Sequence, residues 1–323
     1  MNKKDNIMLW RVFCCVGVFI THLALSVGVH GSFKVITDFG GKIAVYFFFA
    51  ISGYLAFSRY LPDESPVSYW KKRLLRIVPL YGILICYYFV AHTFFFKDVP
   101  TDPYRLGWLR YIFFISDDVP AQDNFWRNLG MTWTICWFML FYLLMPLLHR
   151  VINSLRRALL FCACAYMVFF LKDMLFGEWM SALKGLFFFS VGIAVYFAVK
   201  EHKENLLIFL FAWATFFFVI QGANNELTGI VLFGILLVAT GDLKLKEGSF
   251  KKTVAAIDRY SFEIYLLQGV IFNDIVWNVM SVKNITNPVA IVLVAVIGTA
   301  VCAVAIHELL RVLIYDRLRK ERA

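Results

Sequence analysis

The chain has 323 residues, 61% hydrophobic and 17% charged, with 34 Phe and a mean hydropathy of +0.70. A soluble protein carries about 45–50% apolar and about 25% charged residues, so this composition excludes an ordinary soluble domain, along with disordered, collagen-like and disulfide-scaffold chains. The balance of 32 Lys and Arg against 22 Asp and Glu, +10 in all, fits the cytoplasmic ends of membrane helices and does not call for nucleic acid.

The first element is an apolar run over 7–29. It contains Arg11 and His22 and lacks a cleavage-site pattern, so it reads as a retained helix and not a signal peptide. Further runs long enough to span a bilayer of about 20 residues follow at 42–59, 74–96, 131–149, 155–172, 182–199, 206–221, 226–241, 260–280 and 288–312. The seventh and eighth are weakly separated at Gln221–Asn225. The segment 105–116, with Leu106, Trp108, Leu109, Tyr111 and Phe113 among polar residues, is too short to cross and reads as an interfacial helix. No linker and no internal repeat divides the chain. The expectation is one all-α membrane domain over 1–323, a bundle of about ten transmembrane helices.

With the N-terminus placed in the cytoplasm, 23 of the Lys and Arg fall on inner segments and 9 on outer ones. That asymmetry predicts both termini inside. The seven Cys lie within apolar runs, with no CxxC or ligand-like spacing, so neither disulfides nor a metal site is expected.

Ionisable groups inside such helices need an explanation. Arg11 and His22 are 11 residues apart, three turns plus about 20°, so both project from one face about 16 Å apart. Arg11 can alternatively snorkel to inner headgroups, and His22 can bond a neighbouring helix. In the second span Ser52 offers a hydroxyl, Gly53 permits close backbone approach, and Tyr54 follows. Before the third span, Arg73 and Arg76 share a face at i, i+3. Paired guanidinium forks suit phosphate, although positive-inside charge alone also accounts for them. Pro79 reads as lying in the first turns of that span, where its missing N–H costs little. The outer segment 97–130 sets Asp98, Asp102, Asp117, Asp118 and Asp123 beside Trp108, Tyr111, Phe125 and Trp126. That pattern suits either a sugar site or an interfacial aromatic belt.

These residues together resemble the acyltransferase-3 family of membrane O-acyltransferases. Arg11 and His22 match its Arg-x10-His pair. Phe47–Leu55 is similar to its Phe-Phe-x-x-Ser-Gly-Phe/Tyr-Leu motif, and Arg73–Tyr81 to its Arg-x-x-Arg-Ile-x-Pro-x-Tyr motif. Trp133-Thr134 with Phe141-Tyr142 and Pro146 resembles a fourth block, and Ser261, Tyr265 and Leu266 resemble a late Ser-x-x-x-Tyr-Leu-x-His block. The chain departs from the pattern at Phe138, where relatives often carry Glu, and at Gln268, where they often carry His. Glu263 is an additional intramembrane acid, and His307-Glu308 in the tenth span is placed to make a polar contact with it or with another helix.

The resemblance implies an enzyme of the bacterial cytoplasmic membrane, using acyl-CoA, usually acetyl-CoA, as donor substrate with no bound cofactor. The acceptor is a hydroxyl of an extracytoplasmic or lipid-linked glycan such as an O-antigen, capsule or exopolysaccharide. Arg73, Arg76 and Arg11 would meet the CoA. His22 would act as general base or as an acylated nucleophile, two routes the residues leave open. Ser52, Gly53, Tyr54, Trp133, Tyr265, Gln268 and Glu263 would support the site. Some relatives carry a fused extracytoplasmic hydrolase-like domain; this chain is expected to act alone or with a separate extracytoplasmic partner. A lipid-linked sugar transporter or flippase is the alternative, weakened by the absence of matching halves and of mid-span breaks.

Overall fold

A computed structural model describes residues 5–27, 41, 43–60, 63–96, 109–116, 131–177, 179–220, 222, 225–281 and 283–315. Among them the regular structure is helical, with ten long helices. These are α1 (Asp5–Ser26), α2 (Ala44–Arg59), α3 (Pro66–Val90), α4 (Trp133–Val151) and α5 (Leu155–Phe176), then α6 (Gly185–Lys200), α7 (Glu204–Ile220), α8 (Asn225–Ala239), α9 (Ser249–Gly269) and α10 (Pro288–Leu310). Each overlaps one of the expected apolar runs. Six helical stretches are long and apolar enough to cross a membrane, and α2, α7 and α8 are shorter apolar helices. The chain is an integral membrane protein.

Local chemistry sets the boundaries. Ser65 caps α3 by accepting from the Ser68 N–H, with Pro66 in the first turn, where no N–H is needed. Ser154 caps α5 through the Arg157 N–H, and Asn287 with Pro288 opens α10 in the same manner. Gly177, at φ +56°, terminates α5 in a conformation that other residues rarely adopt. Between α6 and α7, Glu201 binds Lys203 and the Leu155 N–H, which holds its carboxyl below the usual range.

Two spans run further than hydropathy indicates. Helix α3 begins at Pro66 and continues in π-helical turns to Phe96, so the basic stretch and the span are one rod. Pro79 is therefore deep in the helix and not in its first turns, a correction to the sequence expectation. Helix α9 starts at Ser249 and continues as a π-helix over Val270–Ser281. Hydropathy registers only the apolar part of such a rod. The one-turn helix Leu109–Ile112 lies in the expected interfacial segment, while Leu106, Trp108 and most of the outer aromatic and acidic residues lie outside the described residues.

Helices α2 and α6 form the centre. A Cβ on Gly53 would lie 2.1 Å from the Phe189 carbonyl oxygen, and one on Gly192 would lie 1.8 Å from the Ala50 carbonyl oxygen. Two glycines thus let the backbones touch, the small-residue packing used where lipid supplies no hydrophobic drive. Around them Tyr46 stacks on Phe188 at 3.9 Å and Phe141 on Phe189 at 4.0 Å. Side chains such as Leu160, Met167 and Met174 on α5, Phe209, Trp213 and Phe216 on α7, and Leu293, Ile297 and Val301 on α10 are exposed, a belt suited to lipid. Gly53→Ala is expected to lower stability by about 1–3 kcal/mol, because the obstacle is backbone and cannot rotate away. Thermal unfolding in detergent checks this, and an unchanged transition would mean that the two helices separate freely.

Candidate active site

One face of α2 carries Val45, Phe48, Ser52, Leu55, Ala56 and Arg59 into a cavity of about 130 Å³. From Val45 to Arg59 the helix rises about 21 Å, so the cavity is long and narrow. Helix α3 contributes Arg73, Arg76 and Ile77; α4 contributes Thr134, Ile135, Phe138 and Tyr142; α9 contributes Ser261, Phe262 and Tyr265; and α1 contributes Arg11. On each helix the lining residues fall at intervals of three or four, with an adjacent residue beside some of them, the pattern of one side of a rod.

The two ends differ in chemistry. At one end four guanidinium groups, Arg11, Arg59, Arg73 and Arg76, converge. Arg11 is ion-paired, with Nη1 2.9 Å from Asp258 Oδ1 while Nη2 donates to Ser261 Oγ at 2.9 Å. Asp258, 2% exposed, is held in turn by the next turn of its own helix, where Ser261 Oγ donates to its carbonyl. Arg73 lies over the rings of Tyr69 and Tyr142, 5.0 and 5.2 Å from their centroids. No carboxylate pairs with Arg59, Arg73 or Arg76 among the described residues. Four guanidinium groups gathered around one carboxylate in a partly buried space are costly unless a further anion completes them.

At the other end the walls are Val45, Phe48, Ile135 and Phe138, with one polar contact, Tyr265 OH donating to Thr134 Oγ1 at 3.1 Å. Phe138, where a family Glu was noted as missing, packs on Phe49 and Phe189, so a carboxylate there would be enclosed by rings. An elongated space with an anion-binding head and an apolar tail fits a molecule bearing phosphates at one end and a short apolar group at the other.

Residues 4–308 match the family model described as the acyltransferase domain. The chain belongs to the acyltransferase-3 family. It is a membrane acyltransferase, supported by a match over nearly the whole sequence. Comparison with curated proteins and with solved structures gives no match.

The acyltransferase's sequence-predicted residues take several different places. Arg11, Ser52, Arg73, Arg76 and Tyr265 line the cavity. Gly53 and Tyr54 face α6, the first touching the Phe189 backbone and the second set edge-on to Tyr196. Trp133 joins an aromatic cluster with Phe49 and Trp137 beside the cavity wall. His22 does not line the cavity; its half-buried ring faces Phe272 of the α9 π-helix, 6.0 Å between centroids. Gln268, 2% exposed, has a carbonyl oxygen with no hydrogen-bond partner. Glu263 points away from the cavity, its Oε1 2.7 Å from His307 Nδ1, which is the contact the sequence suggested.

Three further groups were not singled out from the sequence. Asp258 and Arg59 looked like ordinary charge near a helix end, although Asp258 lies three residues before Ser261 and hence on its face. His92 and Asp274 form a buried pair between α3 and the α9 π-helix, Nε2 to Oδ1 3.3 Å, with the His92 ring stacked on Tyr88. An ionisable residue in each of two apolar runs was the signal available for that pair. Among the described residues no group of three or more His, Cys, Asp or Glu is placed to hold a metal ion.

Proposed function

We propose that this acyltransferase moves an acyl group, acetyl in the simplest case, from cytoplasmic acyl-CoA to a hydroxyl of an extracytoplasmic or lipid-linked glycan. The observation that carries this reading is the basic-to-apolar gradient along the cavity, with Arg59, Arg73 and Arg76 paired to no carboxylate among the described residues. CoA bears phosphates on its nucleotide head and a thioester at the end of an extended arm. Arg59, Arg73 and Arg76 suit the head, through planar forks that match phosphate oxygens. The narrow passage along α2 suits the arm.

The ten long helices and the 23 to 9 division of Lys and Arg support ten spans with both termini in the cytoplasm. In that orientation the basic end faces the cytoplasm, where acyl-CoA is made, and His22 lies in the outer half. His22, whose ring here faces Phe272 outside the cavity, acts as general base in a conformation that turns it to the outer end of the passage. The acceptor oxygen attacks the thioester carbonyl carbon, a C–O bond forms and the C–S bond breaks with its electron pair on sulfur. The hydroxyl proton passes to the imidazole and then to the thiolate, leaving free CoA thiol. A neutral imidazole is chemically suited to this, because it can both take up a proton and return it. The site is expected in a bacterial cytoplasmic membrane, with a separate extracytoplasmic protein as a candidate partner on the acceptor side.

His22→Ala is expected to reduce glycan acylation by about 10²–10⁴-fold, the usual contribution of a positioned acid or base. Glycan NMR from cells making equal amounts of each protein measures it. Undiminished acetyl content in the variant would reject the catalytic role.

A further inference from the structure

We propose that Gln268 is the positioning residue for His22, its side-chain carbonyl oxygen accepting the imidazole N–H in the reacting state. The inference rests on the catalytic role proposed for His22. Helices α1 and α9 run side by side, and their facing stripes pair in order. Arg11 meets Asp258 and Ser261, Cys15 Sγ lies 3.8 Å from the Ser261 carbonyl, and the His22 ring packs on Phe272. On α9, Asp258, Ser261, Tyr265 and Gln268 recur at three- and four-residue intervals, one continuous stripe, and Phe272 follows in the first π-helical turn beyond it.

Gln268 thus lies one turn beyond Tyr265, a cavity wall, and one turn short of Phe272, the neighbour of His22. Along α9 it therefore falls between a cavity residue and the aromatic neighbour of the imidazole. Two complementary groups are unmatched there. The Gln268 carbonyl oxygen is buried and accepts nothing. The His22 ring makes no hydrogen bond or ion pair among the described residues, and its recorded neighbour is Phe272. A buried carbonyl without a donor is costly, and a general base needs its second nitrogen fixed so that the correct tautomer faces the hydroxyl. One contact meets both requirements. A carboxamide does this work in hydrolases that pair Cys and His with Asn, where the orienting group is neutral. During transfer, proton and electron bookkeeping is unchanged. The proton leaves the hydroxyl for the free imidazole nitrogen while the bonded N–H stays directed at Gln268.

The test measures thiol release from acetyl-CoA by membranes containing the full-length chain and its cellular acceptor, across pH, for wild type, Gln268→Leu, Gln268→Asn and Gln268→Glu. The expected result for Gln268→Leu is a fall in kcat of about 10²-fold with KM for acetyl-CoA within twofold of wild type. Gln268→Glu is expected to retain most of the rate and to move the acidic limb of its pH profile upward, because a carboxylate stabilises the imidazolium. Gln268→Leu at the wild-type kcat, or with its loss confined to KM, overturns the assignment. If Gln268→Leu does not accumulate, the Gln268→Glu profile decides, and an unmoved acidic limb overturns the proposal. Failure of the wild type itself to release acceptor-dependent thiol would instead reject the donor or the acceptor, a distinguishable result.

Discussion

Replacing Arg59, Arg73 or Arg76 singly by Ala is expected to raise KM for acetyl-CoA by about 10- to 100-fold per residue, since a charge-assisted hydrogen bond contributes about 1.5–3 kcal/mol. The sharper part of the result is its dependence on the donor. S-acetyl-pantetheine carries the same thioester and arm but no phosphate, so the same substitutions should leave its KM within about twofold. The preference of the enzyme for the nucleotide-bearing donor then collapses in each variant. Arg59 is the most informative of the three, because no motif points to it and only its place on the cavity face of α2 does. Equal KM increases for both donors would mean that the arginines shape the passage and do not bind the head. Steady-state kinetics with the two thioesters separate these outcomes.

Asp258→Leu is expected to lower stability by about 3–5 kcal/mol, the cost of leaving a buried charge without its counter-ion. The Arg11 side chain is 12% exposed and that of Asp258 1%, so water screens the pair little. Arg11→Met alone should cost a similar amount. The double variant Arg11→Met with Asp258→Leu should recover much of the loss, since two apolar groups can replace a buried pair at nearly neutral cost. It should not recover transfer, because Arg11 also lines the cavity. Thermal unfolding in one detergent, with acylation measured on the same preparations, provides the cycle. Two single variants as stable as wild type would show that Asp258 does not hold Arg11 in solution.

The sequence makes some of this legible. Apolar runs locate every long helix, because lipid demands about 20 consecutive apolar residues whatever the fold. Arg11, Ser52, Arg73, Arg76 and Tyr265 are legible as cavity residues through their motifs. Asp258 is harder to see, since Lys251, Lys252 and Arg259 around it make the start of α9 look like a solvated loop, and its partner is 247 positions away. The course of α3 is hidden for a related reason: charged residues before a span do not reveal whether the helix continues through them. The His22 environment depends on the rotation of α1 against the π-helical end of α9, where the turn holds more residues than in an α-helix and side-chain directions drift from the 3.6 repeat. Spacing alone therefore puts Arg11 and His22 on one face, without telling that only Arg11 meets the cavity.

The paired glycines of α2 and α6 have a consequence for how a bulky donor gets in. With Gly53 against the Phe189 carbonyl and Gly192 against that of Ala50, neither rod can roll about its axis without driving main chain into main chain. That side of the chamber is a fixed jamb. The side of α3 and α4 is joined more loosely, by the Trp70 indole donating to the Tyr142 carbonyl and by Arg73 resting on the Tyr142 ring. Any widening of the chamber therefore falls to the side of α3 and α4, and Arg73 is carried on it.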